Sequence, residues 1–253
     1  MTSNPVINLT LDVRPVQTAR AFEEIALQLR NLISSGKLRP GDRLPSEREL
    51  AVLFNVSRNT LREALRSLEI SGMIELRKGI KGGAFVRPGD PSVVVGGFLD
   101  LYHLGAITPT QLTESRIWIE DLVVRVACRH ATEDDLLQLE TNIDATERAM
   151  KTQDMNAWTD ELLTFHSLLG RATHNPVMMI VMEAIIKITR QFIDAIGPQL
   201  TRTVVPSRRR LVSHLRARDE AAAGREMTEH LERLHRQYLT QLKRVAKETT
   251  DLN

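Results

Sequence analysis

The sequence predicts a mainly α protein: three short helices and a β-hairpin at the front, joined to an all-helical bundle. Three observations predict it. Aromatic residues make up only 4% of the 253, so Leu, Ala, Val and Ile carry the core, which favours helical packing over a sandwich. Apolar residues recur at helical spacing along most of the chain. Capping residues, glycines and prolines interrupt that spacing where helices must start and stop.

The elements follow in order. Residues 1–15 are polar and proline-bounded and read as a flexible arm. Between Val16 and Ser35, Phe22, Ile25, Ala26, Leu29, Leu32 and Ile33 share one helical face, and Gly36 ends the helix as its C′ residue. Ser46-Glu-Arg-Glu49 has the spacing of a capping box and opens a short helix through Leu50, Ala51 and Leu53. Asn55-Val56 makes a turn. Ser57 caps the next helix, which runs to about Ile70 with Leu61, Ala64, Leu65 and Leu68 inward, and Gly72 stops it. Met73–Leu76 and Ala84–Val86 read as two short strands around a Lys78-Gly-Ile-Lys-Gly-Gly83 loop. Helix, helix-turn-helix, hairpin is the order of a winged helix-turn-helix, assigned to residues 16–88.

Residues 89–94 read as a linker, since Pro88 and Pro91 forbid a continuing helix. Residues 95–248 form the all-helical domain. Across this junction and beyond, helices are expected near 92–104, 109–130, 133–151, 155–173, 177–196, 204–217 and 219–247. Thr108 before Pro109, Thr132 with Asp135 three residues on, Asn175 before Pro176, and Gly197-Pro198 mark the breaks. Trp118 and the Met178, Met179, Met182 group are expected in the core. His103 and His174 are expected at exposed helix ends.

Several classes of protein are disfavoured at once. Cys128 is the only cysteine, so no intrachain disulfide can form. The first residues have neither the basic nor the apolar region of a signal peptide. The run Val177–Met182 is too short to cross a membrane. A cytoplasmic location without a membrane partner is therefore expected. No nucleophile elbow, Walker loop or dinucleotide fingerprint is present, so the chain is not expected to be an enzyme.

Charge is unevenly placed. Residues 1–89 carry 14 Lys and Arg against 9 Asp and Glu, a net of +5, which leaves −3 for the remainder. A basic front on an acidic back suggests a polyanion-binding module joined to something else. The helix opening at Ser57 sharpens this. A helix fits the DNA major groove, and its first turn points N–H groups and a positive dipole end outward. Here that turn carries Arg58, Asn59, Thr60 and Arg62. Arg can fork onto guanine and Asn can pair with adenine, while Ser57 and Thr60 suit phosphate oxygens. Arg48 on the preceding helix can reach the same groove. In the hairpin, Gly79, Gly82 and Gly83 permit close backbone approach, and Lys78 and Lys81 add charge. A basic solvated helix end would share the charge. It would not need the capping box, the short turn and the Gly-rich hairpin together.

These residues carry a family resemblance. Leu44-Pro-Ser-Glu-Arg-Glu-Leu-Ala51, Val56-Ser-Arg-Asn-Thr-Leu-Arg-Glu-Ala-Leu65, Leu68-Glu-Ile-Ser-Gly-Met-Ile74 and Gly82-Gly-Ala-Phe-Val86 resemble the GntR family of bacterial regulators. The resemblance implies double-stranded operator DNA as partner. It implies Arg48, Ser57, Arg58, Asn59, Thr60, Arg62, Lys78 and Gly79 as contacts. The remainder resembles the FadR-type C-terminal domain, or FCD. Its landmarks are Arg116-Ile-Trp-Ile-Glu120 followed by Ala127, Phe165-His166 with Asn175-Pro176, and Leu211 to Leu231 with Asp219, Ala222, Met227 and His230. That resemblance implies a helical bundle around a small-molecule cavity, and a homodimer. Pairing also follows from the DNA side, since one recognition helix reads few base pairs and two match a palindrome.

Many FCD domains hold a metal through an Asp and three His. Here His166 stands, but Leu162 occupies the Asp position four residues before it. Counting back from His230, Arg208 falls where the third His would be. His166, His230 and, one helical turn from Arg210, His214 are the imidazoles left for a metal. Arg cannot ligate, so no firm cofactor is expected, and a zinc-like divalent ion is disfavoured by Leu162 and Arg208. The expected ligand is instead a small organic acid or acyl-type anion, phosphorylated and CoA-linked acids included. Arg116 would meet its carboxylate, Arg208 would add a second fork, and His166 and His230 would donate hydrogen bonds. The expected function is that of a ligand-responsive DNA-binding transcription regulator, a repressor of a catabolic operon released from a palindromic operator by that anion. The alternatives are a metal-dependent FCD regulator with a partial His site, an enzyme using the C-terminal cavity, and a sequence-independent architectural DNA binder.

Overall fold

The computed structural model of the chain describes residues 20–79 and 82–251. The expected arm at 1–15, the first residues of the expected helix from Val16, and Lys81 in the hairpin loop lie outside the described residues. The chain forms two compact units that divide between Val93 and Val94.

The first unit packs α1 (Ala21–Ser34), α2 (Glu47–Phe54) and α3 (Arg58–Ile70) with a hairpin of β1 (Ile74–Arg77) and β2 (Gly83–Val86). Its core joins Ile25, Leu29, Leu32, Leu50, Phe54, Leu61, Leu65, Leu68, Ile74 and Val86. Each boundary has a local cause. Gly36, at φ +74°, follows α1 in a conformation other residues resist. At α2, the Ser46 side chain accepts from the Glu49 N–H while the Glu49 carboxylate accepts from Ser46 N–H at 2.8 Å, closing the capping box. Asn55 adopts φ 54° and turns the chain into α3, one of the few non-Gly types that tolerates this region. The strands pair antiparallel from Ile74 with Val86 to Arg77 with Gly83.

The second unit is all helix: α4 (Ser92–His103, which begins at the division), α5 (Pro109–His130), α6 (Glu133–Thr152), α7 (Met155–Arg171), α8 (Pro176–Ile196), α9 (Val204–Arg216) and α10 (Glu220–Asp251). Thr108 and Thr132 form capping boxes with Gln111 and Asp135, and Asn175 caps α8 ahead of Pro176. Central α5 packs against α7, α8, α9 and α10. The main core gathers Val123, Val124, Ala127, Leu139, Ile143, Phe165, Leu169, Leu211, Leu215 and Met227.

Two core expectations are corrected. Trp118 is 69% exposed, on the outer face of α5. Of the methionine group only Met182 is buried, with Met179 at the surface and Met178 between. Helical spacing puts these residues on faces that no described neighbour covers. No described helix is long and apolar enough to cross a membrane.

Candidate nucleic-acid interface and effector pocket

The N-terminal turn of α3 and the hairpin present the expected contacts at the surface of the first unit. Leu61, Ala64, Leu65 and Leu68 bury one stripe of α3, which turns Arg58, Asn59 and Arg62 outward. Arg48, Arg58, Asn59 and Lys78 are exposed and have no polar partner among the described residues. Ser57 Oγ accepts from the Thr60 N–H at 3.1 Å and lies 2.9 Å from Thr60 Oγ1. The expectation for these two hydroxyls is thus narrowed: they hold the cap and turn only their remaining lone pairs or proton outward. Arg62 is likewise engaged, with Nε donating to Glu47 Oε2 at 2.8 Å, which braces α3 against α2.

The hairpin loop depends on two glycines. Gly79 has φ +99°. A Cβ on Gly82 would sit 2.3 Å from the Arg77 carbonyl oxygen and 2.7 Å from that of Gly79, nearer than atoms can approach. Arg43 then fixes the loop. Its Nη2 donates to the Gly82 carbonyl at 2.6 Å, and both Arg43 and Arg77 lie over the Phe85 ring, at 5.8 and 4.2 Å. Sequence reasoning missed Arg43, although it follows the Pro40-Gly41 turn and bridges to Phe85.

In the second unit, the four expected pocket residues come together although four helices supply them. Arg116 comes from α5, His166 from α7, Arg208 from α9 and His230 from α10, and all are buried. Sequence reasoning named Glu120 only as a landmark and missed its place at the centre. It is 1% exposed, Arg116 Nε donates to its Oε1 at 2.8 Å, and its Oε2 faces His166 Nδ1 in a close contact. The signal was present, because Arg116 and Glu120 are i,i+4 neighbours on one helix face. Tyr238 adds a hydroxyl near enough to Arg116 to act on its charge.

Burial and neighbours set these charges. Burial pushes the Glu120 carboxyl up, but Arg116 and then His166 outweigh it and bring it to about 2. Burial holds the His166 imidazole below its ordinary range against the pull of Glu120. His230 is lowered well below that range by burial and by the nearby His166, Arg208 and Arg116. Arg208 is brought down to about 9, chiefly by burial.

Arg208 also corrects the expectation of a second fork. Its Nη1 donates to Thr146 Oγ1 at 3.1 Å, the Glu161 carbonyl at 3.3 Å and Asn142 Oδ1 at 3.4 Å, and its Nη2 to the Leu162 carbonyl at 2.6 Å. The Phe165 ring covers one face at 4.2 Å from Cζ. Only Nε, buried and without a hydrogen-bond partner, is left. Leu162 therefore contributes a carbonyl to Arg208. The run Arg208-Arg-Arg210 divides, with Arg209 on Asp144 and Glu147 and Arg210 on Glu226 at the surface.

A divalent metal does not fit this donor set. A fixed guanidinium stands where a ligand would be, and its field adds to that of Arg116. Among the described residues, no group of three His, Cys, Asp or Glu is placed to hold a metal. His214 lines neither void beside the cluster and its carbonyl accepts from the Cys128 thiol, which corrects its candidacy. The two voids, about 20 and 10 Å³, share His166, Arg208 and His230 as walls and are each of the order of one water molecule. Pro198, Gln199 and Thr201, between α8 and α9, line the larger, and the Gln199 carbonyl accepts from Trp158 Nε1 at 3.2 Å.

Comparison with known proteins bears on both units. The profile described as "Bacterial regulatory proteins, gntR family" matches residues 21–86, and that of the FCD domain matches 111–233. The HTH-type transcriptional repressor NanR of Escherichia coli O7:K1 is 30% identical over 189 residues, 73% of this chain and 70% of that protein. The chain belongs to the GntR family. This GntR-family chain is also 30% identical to the transcriptional regulator YcbG of Bacillus subtilis over 87% of its own length and 91% of that protein. The Uxu operon transcriptional regulator of E. coli K12 is 29% identical, and there the match spans 63% of this chain and 61% of that protein. A solved Streptococcus agalactiae GntR structure superposes with a TM-score of 0.66 at 24% identity, covering 85% of this chain and 99% of that one, and shares the fold. A winged helix-turn-helix followed by an FCD domain is the architecture of a ligand-responsive DNA-binding transcription regulator.

Proposed function

We propose that the chain is a cytoplasmic, homodimeric repressor of a catabolic operon, released from a palindromic operator by a small anion bound in the FCD domain. The observation that carries the reading is the pairing of two cationic sites on one chain. One is an exposed turn, with Arg58 and Asn59 at the start of α3 without a polar partner among the described residues. The other is a buried cluster, with Arg208 Nε–H unpartnered beside His166 and His230. The exposed site suits DNA, where Arg and Asn read base edges. The buried site suits an anion, because a low-dielectric surrounding strengthens attraction to it.

Arg48, Ser57, Arg58, Asn59, Thr60, Arg62, Lys78 and Gly79 make the DNA contacts, with Arg43 setting the hairpin loop. Arg116, His166, Arg208 and His230 form the effector site, which works without a metal and performs no catalysis. The printed name of the Uxu operon regulator supports an operon as target, and that of NanR supports repression. Effector binding weakens operator affinity only by the difference in its affinity for the two states, a coupling of about 1–3 kcal/mol. Selection of bound duplexes from a random pool, followed by addition of candidate organic acids, tests the reading. A two-fold symmetric consensus released by an acid supports it, and equal retention of unrelated duplexes sinks it.

A further inference from the structure

We infer that Glu47 is a specificity-determining residue of the DNA-binding face: it aims Arg62 at a base and restrains attachment to unrelated sequence. The inference rests on the DNA contacts proposed for α3 and concerns how they discriminate. Arg58 and Arg62 are one turn apart on the outward face of α3. Arg58 has no polar partner among the described residues. Arg62 is met by Glu47, the first residue of α2, whose Oε2 accepts from Arg62 Nε at 2.8 Å. Glu63, the next residue on α3, is exposed and bonds to no described group.

Stability does not account for the pair. Both side chains are open to solvent, at 63% and 41%, and an exposed ion pair adds little to a fold. Leu50, Phe54, Leu61 and Leu65 already join α2 to α3 in the core. The consequence of the bond is geometric. With Nε held, the two Nη groups, which bond to no described residue, are the end of the guanidinium left for DNA. Two parallel N–H donors match guanine O6 and N7. A side chain already held at one nitrogen also loses less freedom on meeting its base.

Charge supplies the second half of the effect. The cleft between α3 and the hairpin, about 480 Å³, is lined by Arg43, Arg66, Arg77 and Lys78, with Glu47 and Glu69 as its acids. Glu69 is turned to the hairpin, where its Oε1 accepts from the Leu76 N–H at 3.1 Å. Glu47 faces Arg62 instead. Attachment to DNA of any sequence grows with each cation that displaces a counterion from phosphate. A carboxylate at 2.8 Å offsets Arg62 for that purpose, and it repels phosphates closer than the Debye length of about 10 Å. A matching guanine returns two directed hydrogen bonds, which an A·T pair does not offer. The acid thus weakens binding to wrong sequences more than to right ones.

Fluorescence anisotropy of the full chain across a sodium chloride series tests this. The probes are a duplex selected by the native chain from a random pool, its single base-pair variants, and a scrambled duplex of the same length and composition. Glu47→Gln keeps an oxygen for Arg62 Nε but removes the charge. It should bind the scrambled duplex about 3–10-fold more tightly at roughly 0.1 M salt, with a steeper salt dependence. Glu47→Asp keeps the charge but has a shorter reach toward Nε. It should leave scrambled binding low and relax preference at one base pair in each half-site. Equal binding of the scrambled duplex by the native chain and Glu47→Gln overturns the restraint, and unchanged base preference in Glu47→Asp overturns the aim. Either result leaves the DNA-binding reading standing. Parallel losses on both duplexes with a lower melting midpoint would mark Glu47 as a structural brace and overturn the inference. A native chain that binds selected and scrambled duplexes equally overturns the DNA-binding reading with it.

Discussion

Arg116 and Glu120, one turn apart on α5, form an ion pair at 2.8 Å with both side chains almost wholly buried. The arginine proposed to meet the effector thus already holds a carboxylate of its own chain. The pair is surrounded by groups whose ionisation differs from that in water, and this has measurable consequences.

The first is a stability that falls with acid in two stages. His230 and His166 are lowered by burial, so the unfolded chain takes up protons first as pH drops through about 6.5. Stability is present above that pH and declines below it. Glu120, held at about 2 against an ordinary 4.5, adds a second loss as pH falls from about 4.5 toward 2, on the order of 3 kcal/mol in all. Melting midpoints from pH 8 to 3 should show both stages, and His230→Gln should flatten the first. A midpoint independent of pH between 7 and 5 in the native chain would contradict the burial of neutral imidazoles.

Arg58→Ala should weaken operator binding by about 1–3 kcal/mol and relax preference at one base pair in each half-site. The side chain is exposed and has no polar partner among the described residues, so the melting temperature should not change. Titration of a selected operator by fluorescence anisotropy measures the loss. Unchanged affinity would remove Arg58 from the groove.

Gly82→Ala should damage DNA binding without unfolding the second unit. The added carbon would lie 2.3 Å from the Arg77 carbonyl oxygen, so the loop must rearrange and Arg43 must release the Gly82 carbonyl. Affinity measured beside far-ultraviolet circular dichroism separates the two effects. Operator affinity equal to that of the native chain would show that the loop conformation is irrelevant to binding.

Trp118→Asp should shift the proposed homodimer toward monomer. Trp118 and Leu122 stand one turn apart on α5, 69% and 52% exposed, and apolar pairs of this kind on a surface favour a partner face. Light scattering across a dilution series reads the change. A dimer as stable as that of the native chain would place the interface elsewhere.

The sequence alone carried the order and ends of the elements because those are local matters. Ser46 with Glu49, Thr108 before Pro109 and Thr132 with Asp135 satisfy the first N–H groups of their own helices, so spacing suffices to find them. The exposed residues proposed to meet DNA could be placed at the surface for the same reason, since one helical turn and one loop hold them. What periodicity could not supply was the opposing surface. Trp118 has the composition of a core residue, yet only the packing of α5 against its neighbours leaves it outside. Glu120 reads as an ordinary helical acid until α7 brings His166 against it. Arg208 reads as part of a basic run until Thr146, Leu162 and Phe165, from two other helices, enclose it. A buried charge is defined by what surrounds it, and those surroundings come from segments far apart in the chain.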